Sequence, residues 1–257
     1  MSAILVTRAG AIATVTLSNP GKLNAIDVAM WESLASQFAL LSADDSLRCV
    51  IVSGADRHFA AGADIAEFSR VRNTLEQGIR YHTSVIGEAL AAIEGCRHPT
   101  IAAIEGVCVG GGLEIACACD LRIASSNAKF GIPINRLGFA LAPGEMTGLL
   151  QLVGKAVALE LLLEGRVFGA EEAMQKGLLT RIADDVPADA QKCAERIAAG
   201  APLAARLNKV LIRRLSASAA ALETHELHAA FAPLASDDYR EGVAAFLAKR
   251  RAVFQGK

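Results

Sequence analysis

The sequence has no surplus of either charge, no long apolar run and no paired cysteine motif, and each absence removes a class of function. Its 257 residues hold 26 Lys and Arg against 27 Asp and Glu, a net charge of −1. Nothing in that balance implies a face that grips nucleic acid or an anionic membrane. Mean hydropathy is positive at +0.35, yet the longest uncharged stretch, residues 9–21, is only 13 residues and contains Asn19, Pro20 and Gly21. A spanning helix needs about 20 consecutive apolar residues. The N-terminus, with a lone Arg8 and no apolar core behind it, lacks the form of a signal peptide. The expectation is a soluble, cytoplasmic protein with neither a membrane nor a nucleic-acid partner.

Six cysteines are present, Cys49, Cys96, Cys108, Cys117, Cys119 and Cys193, with no Cys-x-x-Cys spacing among them. They sit in apolar surroundings and are read as reduced core residues rather than a metal site. The close pair Cys117 and Cys119 lies inside an apolar run and reads as packing. Gly-x-Gly-x-x-Gly, Gly-Lys followed by Ser or Thr, and Gly-x-Ser-x-Gly are all missing. A dinucleotide site, a P-loop and a nucleophile elbow are therefore unsupported.

What is there is an apolar-rich chain, 53% hydrophobic and 21% charged, long enough to bury a large core. Runs rich in β-branched residues predict strands at residues 4–7, 11–17, 49–53, 100–105 and 120–124. Helical periodicity predicts helices from the N-cap Asp27 to 41 and over 75–93. Later it predicts 148–153, 157–163, 170–176, 189–199, 203–215, 222–230 and 238–250. Strands alternate with helices early and helices stand alone late, which predicts an α/β core over residues 1–200 and a helical region over 201–257. Gly200 and Pro202 punctuate the boundary.

Two glycine-bearing segments draw attention. Phe59-Ala-Ala-Gly-Ala-Asp-Ile65 follows an apolar strand, and Asp64 with Glu67 has capping-box spacing for a helix opening at Ile65. Val109-Gly-Gly-Gly-Leu-Glu114 ends a strand and opens a helix. Glycines at such a junction let a ligand approach the backbone, and the helix dipole adds a positive field. Either segment alone also fits a tight turn of small residues.

Taken together, the two segments, Cys119-Asp120, Phe130-Gly-Ile-Pro133, the early Asn19-Pro-Gly-Lys-Leu-Asn-Ala25 and the late Glu241-Gly242 with Phe246-x-x-Lys249-Arg250 resemble the crotonase superfamily, the enoyl-CoA hydratase/isomerase proteins, over the whole chain. The resemblance implies a crotonase (ClpP-like) β-β-α spiral core, a C-terminal helical trimerisation region and a homotrimer or a hexamer built as a dimer of trimers. It implies an acyl-CoA thioester substrate, with coenzyme A entering as part of the substrate, no other cofactor and no metal.

It further implies an oxyanion hole from the backbone N–H groups of Ala63 and Gly111. CoA contacts would come from Lys22, Leu23, Ala25, Ala61, Asp64, Ile65, Gly110, Phe246 and Lys249, the last two from the same or a neighbouring subunit. Glu114 falls on the first of the two catalytic glutamates of the family's hydratases. One helical turn past Gly111, among apolar neighbours, it is suited to proton transfer.

Where those hydratases carry the second glutamate, after Phe130-Gly-Ile-Pro133, this chain has Ile134. The expected activity is an enoyl-CoA hydratase acting through a thioester enolate. The missing carboxylate leaves open a different enolate reaction, such as isomerisation, decarboxylation or thioester hydrolysis, and a non-enzymatic acyl-CoA- or RNA-binding relative is the further alternative. Glu145 is the candidate substitute acid, although Pro143-Gly144-Glu145 also fits an ordinary helix start. His225 and His228 with Glu223 and Glu226 read as a solvated helix face, and Arg206, Lys209 and Arg213 as surface or subunit contacts.

Overall fold

The structure, a computed structural model, describes residues 1–217 and 223–257. Strands β1 (Ala3–Ala9) and β2 (Ile12–Ser18) form an antiparallel hairpin, and β2 then pairs in parallel with β3 (Cys49–Gly54) across helix α1 (Val28–Ala43). Asp27 caps α1, its carboxylate accepting the Met30 N–H at 2.8 Å. Helices α2 (Phe68–Val71), α3 (Leu75–Arg80) and α4 (Gly87–Gly95) follow, and residues Tyr81–Ile86 join α3 to α4 as a π-helical turn. The helix expected over 75–93 is therefore interrupted by a wider turn that no periodicity foretold.

From there the chain repeats a β-β-α step. Strand β4 (Thr100–Ile104), β5 (Val107–Val109) and α5 (Gly111–Ala118) make one step, and β6 (Leu121–Ala124), β7 (Lys129–Gly131) and α6 (Pro143–Glu164) the next. Each step sends its first strand to a six-stranded sheet, ordered β1-β2-β3-β4-β6-β9, and its second to a three-stranded sheet, β5-β7-β8. Strand β8 (Phe168–Gly169), α7 (Ala170–Gln175), β9 (Arg181–Ile182) and α8 (Val186–Ala198) complete both sheets. Alternation between two sheets is what makes the expected spiral. Strands β5, β7, β8 and β9 have only two or three residues each, too short for a period-2 pattern to show.

The continuous apolar runs of β3 and β4 arise because both faces of the sheet are covered. Val50, Val52, Ala102 and Ile104 enter the main core with Trp31, Phe38, Ile93 and Leu113. Their neighbours Cys49, Ile51, Ile101 and Ala103 point the other way, onto Val186, Ala190, Cys193 and Ala194 of α8, as the pleat requires. All six cysteines are buried and free.

The two helices expected over 148–153 and 157–163 meet at a kink and together make α6, which starts earlier, at Pro143. Gly154 leaves the helical conformation, with φ 70° and ψ 174°, and bends it. By length and composition α6 could cross a membrane, but Glu145, Leu149, Ala158 and Leu161 are buried in the core.

Beyond Pro202 the described residues are helical: α9 (Pro202–Ala217), α10 (Thr224–Phe231) and α11 (Asp237–Leu247). Leu222, the expected start of the second-last helix, lies outside the described residues. Of the three basic residues expected as surface or subunit contacts, Lys209 instead faces inward, Arg206 is half-buried and Arg213 stays exposed. Lys209 is buried, its Nζ bonding Asp120 Oδ2 at 2.7 Å and the His98 carbonyl at 3.2 Å. Arg213 reaches the Glu94 carbonyl at 2.7 Å. Their cations dock α9 on backbone carbonyls and on Asp120, whose Oδ2 also accepts from the Thr100 N–H and hydroxyl.

Candidate active site

The two glycine segments lie side by side. The Ala60 N–H donates to the Val107 carbonyl at 2.9 Å and the Val109 N–H to the Ala60 carbonyl at 3.0 Å. On the other side, the Ile26 N–H bonds the Gly62 carbonyl at 2.7 Å and the Asp64 N–H the Ile26 carbonyl at 2.8 Å. A Cβ at Gly112 would stand 2.3 Å from the Ala60 carbonyl oxygen, and one at Gly111 2.9 Å from the Trp31 ring. Gly112 is therefore set by close packing of one segment on the other, and Gly111 by the Trp31 ring of α1. Gly62 adds a positive φ of 101° that an L side chain rarely adopts.

This lacing leaves two amides over. The N–H groups of Ala63 and Gly111 donate to no other group among the described residues. They border one space, since a Cβ at Gly111 would lie 3.6 Å from the Ala63 nitrogen and one at Gly62 3.5 Å from the Gly111 nitrogen. Gly111 opens α5, so its N–H stands at the positive end of a helix dipole. A site of this kind can hold a developing oxyanion.

Both amides line a cavity of about 270 Å³, together with Ala61, Gly110, Ile65, Ile134, Glu114 and Glu145. Glu114 is 7% and Glu145 4% exposed, so two carboxyls are buried in one apolar hollow. Burial, reinforced by the nearby Glu145 carboxylate, pushes Glu114 well above the usual carboxylate range. Glu114 is thus held toward its protonated form, the form that can donate. Glu145 belongs to the first turn of α6, yet it turns away from that helix, and its Oε1 lies 2.6 Å from His82 Nδ1. Ile134 packs against the main core and offers no acid. Burial raises Cys108 well above the ordinary thiol value and pushes Cys117 up to about 12, which leaves neither as a nucleophile.

The remaining expected contacts divide into two groups. Lys22, Leu23 and Ala25 lie in a loop beside the cavity, where the Ala61 N–H donates to the Leu23 carbonyl at 3.0 Å and Asn24 Nδ2 to the carbonyls of Ala55 and His58. Lys22 Nζ pairs with Asp64 at 2.5 Å, and this bond holds the Asp64 carboxyl below its ordinary value. Asp64 caps the short turn Ile65–Glu67 by accepting the Ala66 N–H at 3.2 Å. The expected capping box does not close, because Glu67 instead accepts the Val28 N–H at 2.7 Å and ties the turn to α1. Phe246 and Lys249 do not line the cavity. Phe246 is 83% exposed beside Tyr239, Val243 and Leu247.

His82, Tyr81, Phe68 and Arg72 also line the cavity and escaped the sequence reading. No pattern marks them: Tyr81 and His82 come from a π-helical turn, and Phe68 and Arg72 from the single turn of α2 and its C-terminal cap. Among the described residues no group of three or more His, Cys, Asp or Glu side chains could hold a metal. His225 pairs only with Glu223, at 3.2 Å and exposed, while Glu226 is held by Arg214.

A sequence profile for the family described as Enoyl-CoA hydratase/isomerase matches residues 7–257. A probable enoyl-CoA hydratase of Rhizobium meliloti is 35% identical over 98% of this chain and 97% of its own length. A short-chain-enoyl-CoA hydratase of Clostridium acetobutylicum is 32% identical over 96% and 95%. The crystal structure of an enoyl-CoA hydratase/carnithine racemase from Magnetospirillum magneticum superposes with a TM-score of 0.96 at 45% identity, covering 100% of this chain and 97% of the other.

Proposed function

The chain belongs to the enoyl-CoA hydratase/isomerase family, and from that premise we propose that it hydrates 2-enoyl-CoA thioesters through an enolate held by Ala63 and Gly111. The observation that carries this reading is the pair of unengaged amides lining one cavity with the buried Glu114, whose carboxyl burial holds toward its protonated form. The thioester oxygen sits between the two N–H groups, where each donor is worth about 3–4 kcal/mol by analogy with other oxyanion holes.

Water adds its oxygen to C3 as the C2=C3 pair moves toward that oxygen, and the water proton passes to Glu145. Glu114 then delivers its proton to C2 and the carbonyl re-forms. Proton transfer from Glu145 back to Glu114 through solvent resets the site. The chemistry draws on protein groups and on the CoA that the substrate carries. Lys22, Leu23, Ala25, Ala61, Asp64 and Ile65 lie along the side of the cavity where the CoA moiety would run.

The exposed apolar side chains of the C-terminal helices, among them Val210, Ile212, Phe231, Val243 and Phe246, support assembly as a homotrimer or a dimer of trimers, which light scattering measures directly. The activity is tested by incubation with crotonyl-CoA, following loss of the enoyl-thioester absorbance. Turnover by the wild type and its loss in Glu114→Gln are expected. A silent wild type that instead consumes a 3-enoyl- or malonyl-type thioester would show that hydration is the wrong reaction.

A further inference from the structure

His82 is buried, 8% exposed, and the hydration mechanism above gives it no part. It sits in the π-helical turn Tyr81–Ile86, a wider turn that helices adopt rarely and often at functional sites. Its ring is clamped on two sides, stacked on Phe139 at 5.0 Å and 23° and met edge-on by Tyr81 at 5.2 Å. Phe139 is itself covered by the Arg72 guanidinium, 4.3 Å from its centroid. Within this clamp Nδ1 lies 2.6 Å from Glu145 Oε1, while Nε2 is buried with no hydrogen-bond partner.

An unpaired N–H in an apolar setting is costly, and a donor is rarely left so. The ring proton therefore belongs on Nδ1, where it has an acceptor. We propose that His82 is the positioning residue for Glu145: it donates Nδ1–H to that carboxylate and fixes it as the base that takes the place of the carboxylate missing at position 134. The proposal rests on the hydration reading for its kinetic consequence, but the His82–Glu145 bond itself does not. His82 acts through Glu145 and need not touch the substrate. The other charged or titratable groups around the pair are Glu114 from α5, Arg72 above Phe139, Arg136 on the cavity lining and Tyr81 beside the ring.

The test is a double-mutant cycle between His82→Phe, which keeps a ring to stack on Phe139 but removes the donor, and Glu145→Gln. His82→Phe is expected to lower kcat on crotonyl-CoA by about 100-fold with KM changed by less than about threefold, as for loss of a general-base element. In the Glu145→Gln background the same change should cost less than about twofold, because residues acting as a unit are not additive. His82→Gln, which can still donate, should recover much of the rate.

A second readout needs no turnover. His82→Phe leaves a buried carboxyl with no donor, so its native state favours the protonated form. Stability of that variant should then fall as pH rises from 5 to 8, more steeply than in the wild type, and the extra slope should vanish in His82→Phe/Glu145→Gln. Additive losses of kcat in the cycle, or an unchanged pH slope, overturn the proposal. A wild type inactive on crotonyl-CoA with the expected pH slopes would instead overturn the hydration reading and leave the His82–Glu145 bond standing.

Discussion

The two walls of the cavity are built from different materials. One is backbone: the amides of Ala63 and Gly111, held by hydrogen bonds between the 60–64 and 107–110 segments and by close packing at Gly112. The other is side chain: Glu114, Glu145 and His82, brought together from α5, α6 and a π-helical turn. The backbone wall carries fixed dipoles that no pH in the physiological range alters. The side-chain wall carries charge that depends on burial and on neighbours. The fixed wall can select where negative charge develops, and the titrating wall decides when protons move.

The largest effect should come from separating these properties at Glu114. Glu114→Gln keeps the shape of the titrating wall and removes its proton, and turnover should fall by about 1,000-fold, within the range for loss of a general acid or base. The same variant should be more stable than the wild type at neutral pH. The sign follows from the raised position of Glu114. Above the ordinary carboxyl value the unfolded chain has lost this proton while the native state keeps it. Native stability is therefore fully present below that value and declines as pH rises through the folded value. Thermal melts from pH 5 to 9 should show a shallower decline in Glu114→Gln, and a steeper one would contradict a protonated native Glu114.

Gly112→Ala attacks the fixed wall instead. A methyl group 2.3 Å from the Ala60 carbonyl oxygen must push the two segments apart, and the placing of the Ala63 and Gly111 amides depends on their register. Displacement by about 1 Å is enough to cost about 100-fold in rate. The loss should be the same at every pH where the protein is folded, whereas losses on the other wall should reshape the pH profile. A pH-rate profile that changes shape in Gly112→Ala would mean that the two walls are not independent.

This contrast also explains which parts of the site the sequence disclosed. A wall of backbone amides needs small residues at fixed spacings, so Phe59 to Ile65 and Val109 to Glu114 carry it openly, and the strand-helix order around them follows from the two-faced burial of β3 and β4. Side-chain chemistry needs only that an acid arrive from somewhere. Glu145 could be suspected from its neighbourhood, but its turn toward His82 could not, because a Glu in the first turn of a helix ordinarily serves the helix. His82 lies in a segment whose periodicity reads as plain helix, and the extra residue per turn that aims it inward leaves no compositional trace. The basic stripe on α9 misled at Lys209 for a related reason: its spacing shows a shared face, and only the packing shows that this one cation turns in to Asp120 and the His98 carbonyl while Arg213 stays exposed.

A smaller effect tests whether the titrating wall is modular. If Glu145 supplies what Ile134 lacks, then Glu145→Gln should slow hydration, and adding Ile134→Glu should recover about tenfold, since position 134 lines the same cavity. In an otherwise unchanged protein, Ile134→Glu should not raise the rate, because a third buried carboxyl adds repulsion beside two others. Recovery in the first case without gain in the second is the expected pattern. Steady-state kinetics of the two variants on crotonyl-CoA distinguish it from a site that simply tolerates any carboxylate.

The smallest effect lies outside both walls, at the mouth. Lys22 is half exposed and its ammonium already has a partner in Asp64, so an incoming CoA must compete with that carboxylate for the same charge. A pair whose cation is open to solvent contributes little to folding, and salt screens it further. Lys22→Ala should therefore leave the melting temperature and kcat nearly unchanged and raise KM by about threefold at low salt, fading as ionic strength increases. Because Asp64 loses its cation in that variant, a double variant with Asp64→Asn should recover part of the KM by removing a bare negative charge from the CoA entrance. If Lys22→Ala instead lowered kcat at saturating substrate, the mouth and the reacting centre would be coupled, and the division between fixed and titrating walls would have to extend to the CoA loop.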